Sequence, residues 1–269
     1  MIAIYLIFII VTIVVISLAY PGWRDKRILK CSFPTHWQAT VHRRLPFFEK
    51  LSDAEQKQLQ DMIKLFVAKK YYYGCGGLEI NDDIRVTIAA EACLLLLNRK
   101  TGVYPSLKHI LVYPSAFKVD RQQHNQDGTV SHKNSGLLGE SWDTSKVILS
   151  WDSVEHGVQN FNDGHNVVLH EFSHQLDSQS GSANGAPLLK KNSYQLWAKV
   201  LTKEFKALVK ASEEHNKAVM DYYGATNPAE FFAVATEAFF EKPQQMSNKH
   251  PELYNEFKTY YCVDPLLWE

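Results

Sequence analysis

The chain has 269 residues, enough for one large domain or two small ones. Lys and Arg number 29, and so do Asp and Glu, so there is no global basic field to recruit nucleic acid. Four scattered cysteines do not make a disulfide scaffold, and the chain has no Cys-x-x-Cys pair, nucleotide-binding glycine loop or Gly-x-Ser-x-Gly elbow.

Residues 1–20 carry no charged side chain and are rich in Ile, Val, Leu and Phe. As a helix they would extend about 30 Å, the thickness of a bilayer's hydrocarbon core. Pro21-Gly22 is expected to end that helix, with Trp23 at the interface. Arg24, Lys26, Arg27 and Lys30 follow, whereas no Lys or Arg precedes the run. The positive-inside rule then places the domain that follows in the cytoplasm, behind a single-pass anchor. The rival is a cleaved signal peptide with a weak site at Ser17-Leu18-Ala19, but the basic start of such a peptide is missing. The expected organisation is a transmembrane helix over 1–20, a juxtamembrane linker over 21–36 and one domain over 37–269.

Ser52-x-x-Glu55 is a capping box, and Leu59, Met62, Ile63, Phe66 and Val67 follow at helical spacing, which predicts a helix over 52–69. Tyr71-Tyr72-Tyr73 before Gly74 and Gly76-Gly77 reads as a strand or loop and a turn. Asp82 or Asp83 could cap a buried helix reaching about Asn98, in which Cys93 packs as a small hydrophobe. His109 to Tyr113 reads as a strand stopped by Pro114. Residues 120–144 are polar and predict a loop or irregular hairpin, with His124 and His132 as surface histidines. Lys146 to Trp151 reads as a strand, and an exposed strand edge could hold an extended chain by main-chain hydrogen bonds.

His170-Glu171-Phe172-Ser173-His174 reads H-E-x-x-H. On a helix both imidazoles share a face and can reach one metal ion, with Glu171 beside its open position. Asn162-Asp163-Gly164 supplies turn and cap chemistry upstream, and Asp177 lies where it could orient a ligand imidazole. A surface helix with two histidines on one face would share the pattern. Catalytic zinc takes a third protein ligand. Asn227-Pro228 starts a further helix, whose Glu230 and Glu237 share a face among apolar neighbours. Spacing leaves the two nearly even, since Glu230 has capping-box spacing from Asn227 and Glu237 could form a buried ion pair or hydrogen bond. Between these motifs, residues 178–187 read as a loop and 191–218 as an amphipathic helix, and a last helix is expected near 251–261.

His-Glu-Phe-Ser-His-Gln-Leu-Asp at 170–177 and the run from Asp221 through Asn-Pro-Ala-Glu230 to Val234 resemble the Mlc titration factor A family of zinc metallopeptidases, related in its core to the lethal-factor type of gluzincin. Trp37, Leu45 to Ser52, Ile110 to Pro114 and Val147 to Trp151 extend the likeness over about residues 34–269. The resemblance implies zinc bound by His170, His174 and Glu230, with Glu171 as catalytic base and Tyr223 stabilising the oxyanion. Tyr222, beside Tyr223, blurs that last register. The family's members lack an N-terminal span, so the apolar run is a departure. The family's best-known partner is the repressor Mlc, and nothing in this chain carries that partner over.

The expected fold is α+β: a mostly helical, zincin-like metallopeptidase domain with a small sheet, preceded by one transmembrane helix. The expected function is zinc-dependent hydrolysis of a peptide or protein substrate, without nucleic acid and with any regulatory partner unknown. The alternatives are a membrane-tethered regulatory module that binds a protein and has little proteolytic activity, and a zinc hydrolase acting on another bond.

Overall fold

The apolar N-terminal run does not stop at Pro21-Gly22. In the computed structural model, which describes residues 2–268 apart from 116, 125–129 and 138, helix α1 runs unbroken over Ile2–Lys30, with Pro21 inside it. Its charged second half is docked on the domain. Asp25 pairs with Lys69, and Lys64 Nζ donates to the carbonyls of Leu29 at 3.1 Å and Cys31 at 2.8 Å, taking up acceptors that the helix end leaves open. The residues expected to form a linker are therefore helical as far as Lys30. In the first half Ile4, Phe8 and Ile13 are exposed. Among the described residues no helix is long and apolar enough to cross a membrane. The expected single-pass anchor is corrected accordingly, and the cytoplasmic placement that depended on it falls with it.

Helix α2 covers Thr35–Arg44 and α3 covers Asp53–Lys69, the latter opened by the anticipated Ser52–Glu55 capping box. Strand β1 (Tyr71–Gly74) leads to α4 (Asp82–Leu94), which is capped by Asn81 through a 2.9 Å bond from Ile84 N rather than by either aspartate. Cys93 is fully buried in α4, and burial pushes its thiol well up, as expected of a packed hydrophobe. Strand β2 (His109–Tyr113) follows, then the hairpin β3 (Phe117–His124) and β4 (Val130–Leu137), then β5 (Gly139–Asp143) and β6 (Lys146–Ser150). The polar stretch is thus mostly strand, because antiparallel pairing is made by the backbone and tolerates polar side chains. The side chains of His124 and His132 lie outside what the structure describes.

The main sheet has the order β1-β2-β6-β5. Its first three strands are parallel, and β5 runs antiparallel along β6 with an irregularity between Glu140 and Asp143. Trp151 does not extend β6 but opens α5 (Trp151–Gln159), a helix the strand reading missed. Helix α6 (Val167–Asp177) carries the H-E-x-x-H residues and packs on β5, β6 and α4. Helix α7 (Tyr194–Glu213) leads through a 3-10 turn at Tyr222–Ala225 to α8 (Pro228–Glu241), then α9 (Pro243–Lys249) and α10 (Pro251–Tyr261).

The core explains why α6 cannot roll. Phe172 faces away from the histidines and meets Tyr104 and Phe66 with ring centroids 4.9 Å and 5.6 Å apart. Helix α8 is buried on nearly every side, as its continuous apolar composition requires. Trp197 of α7 stacks on Phe257 of α10 at 5.5 Å and meets Phe232 of α8 edge-on at 5.9 Å, which closes that side. The result is a mostly helical α+β domain in which α6 and α8 lie against each other.

Candidate metal centre

Helix α6 starts at Val167 because Asn166 caps it. The Asn166 side-chain oxygen accepts from Val168 N at 3.1 Å and Leu169 N at 3.0 Å, while Val168 and Leu169 bury fully beneath. The cap is therefore not within Asn162-Asp163-Gly164. With the helix in this register, His170 and His174 stand one turn apart with ring centroids at 4.9 Å. Helix α8 starts as the sequence indicates: Asn227 accepts from Ala229 N at 2.9 Å and Glu230 N at 3.0 Å.

The carboxylate of Glu230 does not return to its own helix cap. It reaches across to α6, with Oε2 3.0 Å from His170 Nε2 and 3.4 Å from His174 Nε2. One nitrogen from each imidazole and one Glu230 oxygen all lie within 4.8 Å of one another. Burial alone would raise the Glu230 acid, but the bonds to both histidines outweigh it and bring it down to about 2. His170 shows the same balance, with the shift in the opposite direction. Burial disfavours its charge, yet Glu230 and Glu237 raise its pKa well above the ordinary value.

Glu237 is the second surprise of this helix. Its Oε1 lies 2.8 Å from His170 Nδ1, and its Oε2 accepts from Asn166 N at 2.6 Å. Glu241, one turn on, accepts from Gly164 N at 2.9 Å and from Asn166 Nδ2 at 3.1 Å. Asp177 does not orient an imidazole: its Oδ2 accepts from Gly185 N at 2.7 Å instead. Gly185 has φ +78°, and a Cβ there would lie 2.5 Å from the Pro228 carbonyl oxygen, so this loop seats directly on the first turn of α8.

Glu171 is 4% exposed, and its Oε2 has no hydrogen-bond partner among the described residues. Burial raises it to about 7 against the pull of His170 and His174. Tyr223 is held by the turn before α8, where Asp221 accepts from its backbone N at 2.7 Å. Its ring lies 5.9 Å from that of His170, whereas the Tyr222 hydroxyl donates away, to the Asn216 carbonyl. This settles which tyrosine faces the histidines. Burial raises the Tyr223 hydroxyl, as do the charges of Glu230 and Glu171.

A cleft of about 570 Å³ opens beside His170 and Glu171, with Val167 and Val234 on its apolar side. Asp221, which opens the family-like run, also lines it, as do His156 and His165, which the sequence did not single out. His165 Nε2 stands 3.9 Å from Asp221 Oδ2. The missed α5 brings His156, and no local pattern marks the two histidines because they reach the cleft only in the folded chain.

A helix bearing H-E-x-x-H, with a carboxylate brought to both imidazoles from a later helix, defines a metallopeptidase type of site. Residues 20–262 match the family described as glucose-regulated metallo-peptidase M90. The chain belongs to that family. A protein of Synechocystis described as uncharacterized is 43% identical over 91% of this chain and 90% of its own length. Mlc titration factor A of Pectobacterium atrosepticum is 31% identical over 86% of this chain and 87% of its own. Mlc titration factor A of Escherichia coli is 29% identical over 86% of each. Family membership implies a metallopeptidase and a bound metal. The donor set fits one: two imidazole nitrogens and a carboxylate oxygen converge, and a buried, unpartnered Glu171 oxygen lies on the same helix.

Proposed function

We propose that this chain is a zinc-dependent peptidase whose metal is held by His170, His174 and Glu230. The observation that carries the reading is the approach of Glu230 to both imidazoles, from a helix remote in sequence. Zinc, when bound, would supply Lewis acidity to a peptide carbonyl and lower the pKa of a water. Glu171, whose buried carboxylate lies on the same helix as both histidines, would take a proton from that water and pass it to the leaving amine. Tyr223, at the cleft wall, donates its hydroxyl hydrogen to the oxyanion that develops on the substrate. Strand β5 ends the sheet and packs on α6, so an extended peptide pairing along its outer edge would lie near the histidines.

The test is hydrolysis of a mixed peptide library by the purified chain, with chelator and after zinc is restored. Zinc-restored cleavage is the expected result. A zinc-loaded chain that cuts no peptide would overturn the reading. Relatives from Pectobacterium atrosepticum and Escherichia coli, among others, carry the name Mlc titration factor A, which favours a second role, binding a regulatory protein. That role is compatible with a peptidase site and is tested separately by affinity capture with the metal present and absent.

A further inference from the structure

Glu237 is not in the ligand set, yet both of its oxygens are spent on the start of the metal-binding helix. It is 6% exposed in an apolar helix buried along most of its length, where a carboxylate needs partners to offset its desolvation. Those partners are His170 Nδ1 at 2.8 Å and Asn166 N at 2.6 Å. The other ring nitrogen of His170, Nε2, is the atom that faces Glu230. When Nδ1 donates to Glu237, the lone pair of Nε2 is left for a metal. The second histidine has no such support among the described residues, where His174 Nδ1 is buried without a hydrogen-bond partner.

We infer that Glu237 is the positioning residue of this centre: it fixes which nitrogen of His170 faces the metal and ties that imidazole to the capped end of α6. Asn166 completes the frame. Its backbone N donates to Glu237, its side-chain oxygen caps the helix, and its side-chain nitrogen donates to Glu241 at 3.1 Å. One face of α8 thus supplies a ligand at 230, an imidazole holder at 237 and a clamp on the helix start at 241. The inference rests on the metal-binding half of the proposed function and not on peptide cleavage.

The experiment is zinc affinity of the full chain, read by competition with a chromophoric chelator, for the wild type, Glu237→Gln and Glu241→Gln. Gln at 237 keeps the volume, and its oxygen can still accept from Asn166 N. Its amide hydrogens then face His170 Nδ1 and drive the ring proton to Nε2, the wrong atom for a ligand. The expected loss in zinc affinity is about 10–100-fold. Glu241→Gln disturbs the helix start but touches no imidazole, and its zinc affinity stays close to wild type even if its melting temperature falls. Equal losses in both variants would reduce Glu237 to a structural clamp and overturn the inference.

A measurement on the unaltered chain guards against a variant that fails to fold. Long-range proton–nitrogen spectra of the zinc-loaded protein should show a proton on His170 Nδ1 and zinc on Nε2. Zinc on Nδ1 would overturn the inference. The outcomes also separate the two readings. A chain that binds zinc as described but cleaves nothing loses the peptidase reading and keeps this one. A chain that cleaves peptides with unchanged zinc affinity in Glu237→Gln loses this one alone.

Discussion

Helices α6 and α8 face each other across the centre but contribute in opposite ways. Helix α6 brings two imidazoles and a carboxylate within five consecutive residues, at a spacing that one helical turn imposes. Helix α8 brings Glu230, Glu237 and Glu241, each to a different atom of α6 or of the turn before it. The chemistry on α6 is local, and that on α8 exists only through packing. The difference separates two sources of the candidate centre: the motif supplies nitrogens, and the facing helix supplies the carboxylates that meet them.

The sharpest way to break the comparison is to remove the one carboxylate that α8 gives to both imidazoles. Glu230→Ala should abolish stoichiometric zinc and all peptide cleavage, whereas Glu237→Ala should weaken zinc without abolishing it. Elemental analysis of dialysed protein checks both. The reverse order would move the third ligand to Glu237. Next in size is the carboxylate of α6 itself. Glu171→Gln should retain zinc and lose about 10²–10⁴-fold in kcat. Unchanged turnover would remove Glu171 from the reaction. Tyr223→Phe should cost about 10²–10³-fold in kcat with little change in KM, as for a lost oxyanion donor. An effect on KM alone would make Tyr223 a substrate contact instead.

The last test concerns a buried acid of α4, the helix that packs behind α6. Glu91 of α4 is 1% exposed, and burial pushes it up to about 8. Glu241 is likewise pushed up to about 9. An acid whose pKa is raised on folding holds its proton longer in the folded chain. Its contribution is fully present below the unfolded value of 4.5 and is lost as pH rises through 8. Stability of the metal-free chain should therefore fall by up to about 1.4 kcal/mol per pH unit from this group across that window. Thermal melts from pH 5 to 9 should show a shallower decline in Glu91→Gln. Parallel declines in the two proteins would remove Glu91 from the balance.

The same contrast accounts for what the sequence disclosed. His170, Glu171 and His174 are readable from spacing alone, and so are the Ser52–Glu55 cap, the strand at 109–113, the Asn227 cap and the last helix at 251–261. Glu230 and Glu237 could not be separated by spacing, because residues seven apart share a helix face and only the partner across from them differs. Family resemblance pointed to Glu230, and the geometry brings that residue to both imidazoles. Asn166 was missed in favour of a stronger turn signature four residues earlier. Helix α5 was missed because Trp151 reads as the natural end of a strand. The N-terminal run misled for a related reason: apolar composition described only the first half of α1, while its charged second half is held by α3.

The measurement closest to the central claim is anomalous X-ray scattering at the zinc edge from crystals of the zinc-loaded chain. The account predicts a single strong peak bonded to His170 Nε2, His174 Nε2 and one oxygen of Glu230, with Glu237 on the far side of the His170 ring. A peak elsewhere, or a centre in which the Glu230 carboxylate turns away from both imidazoles, would contradict it.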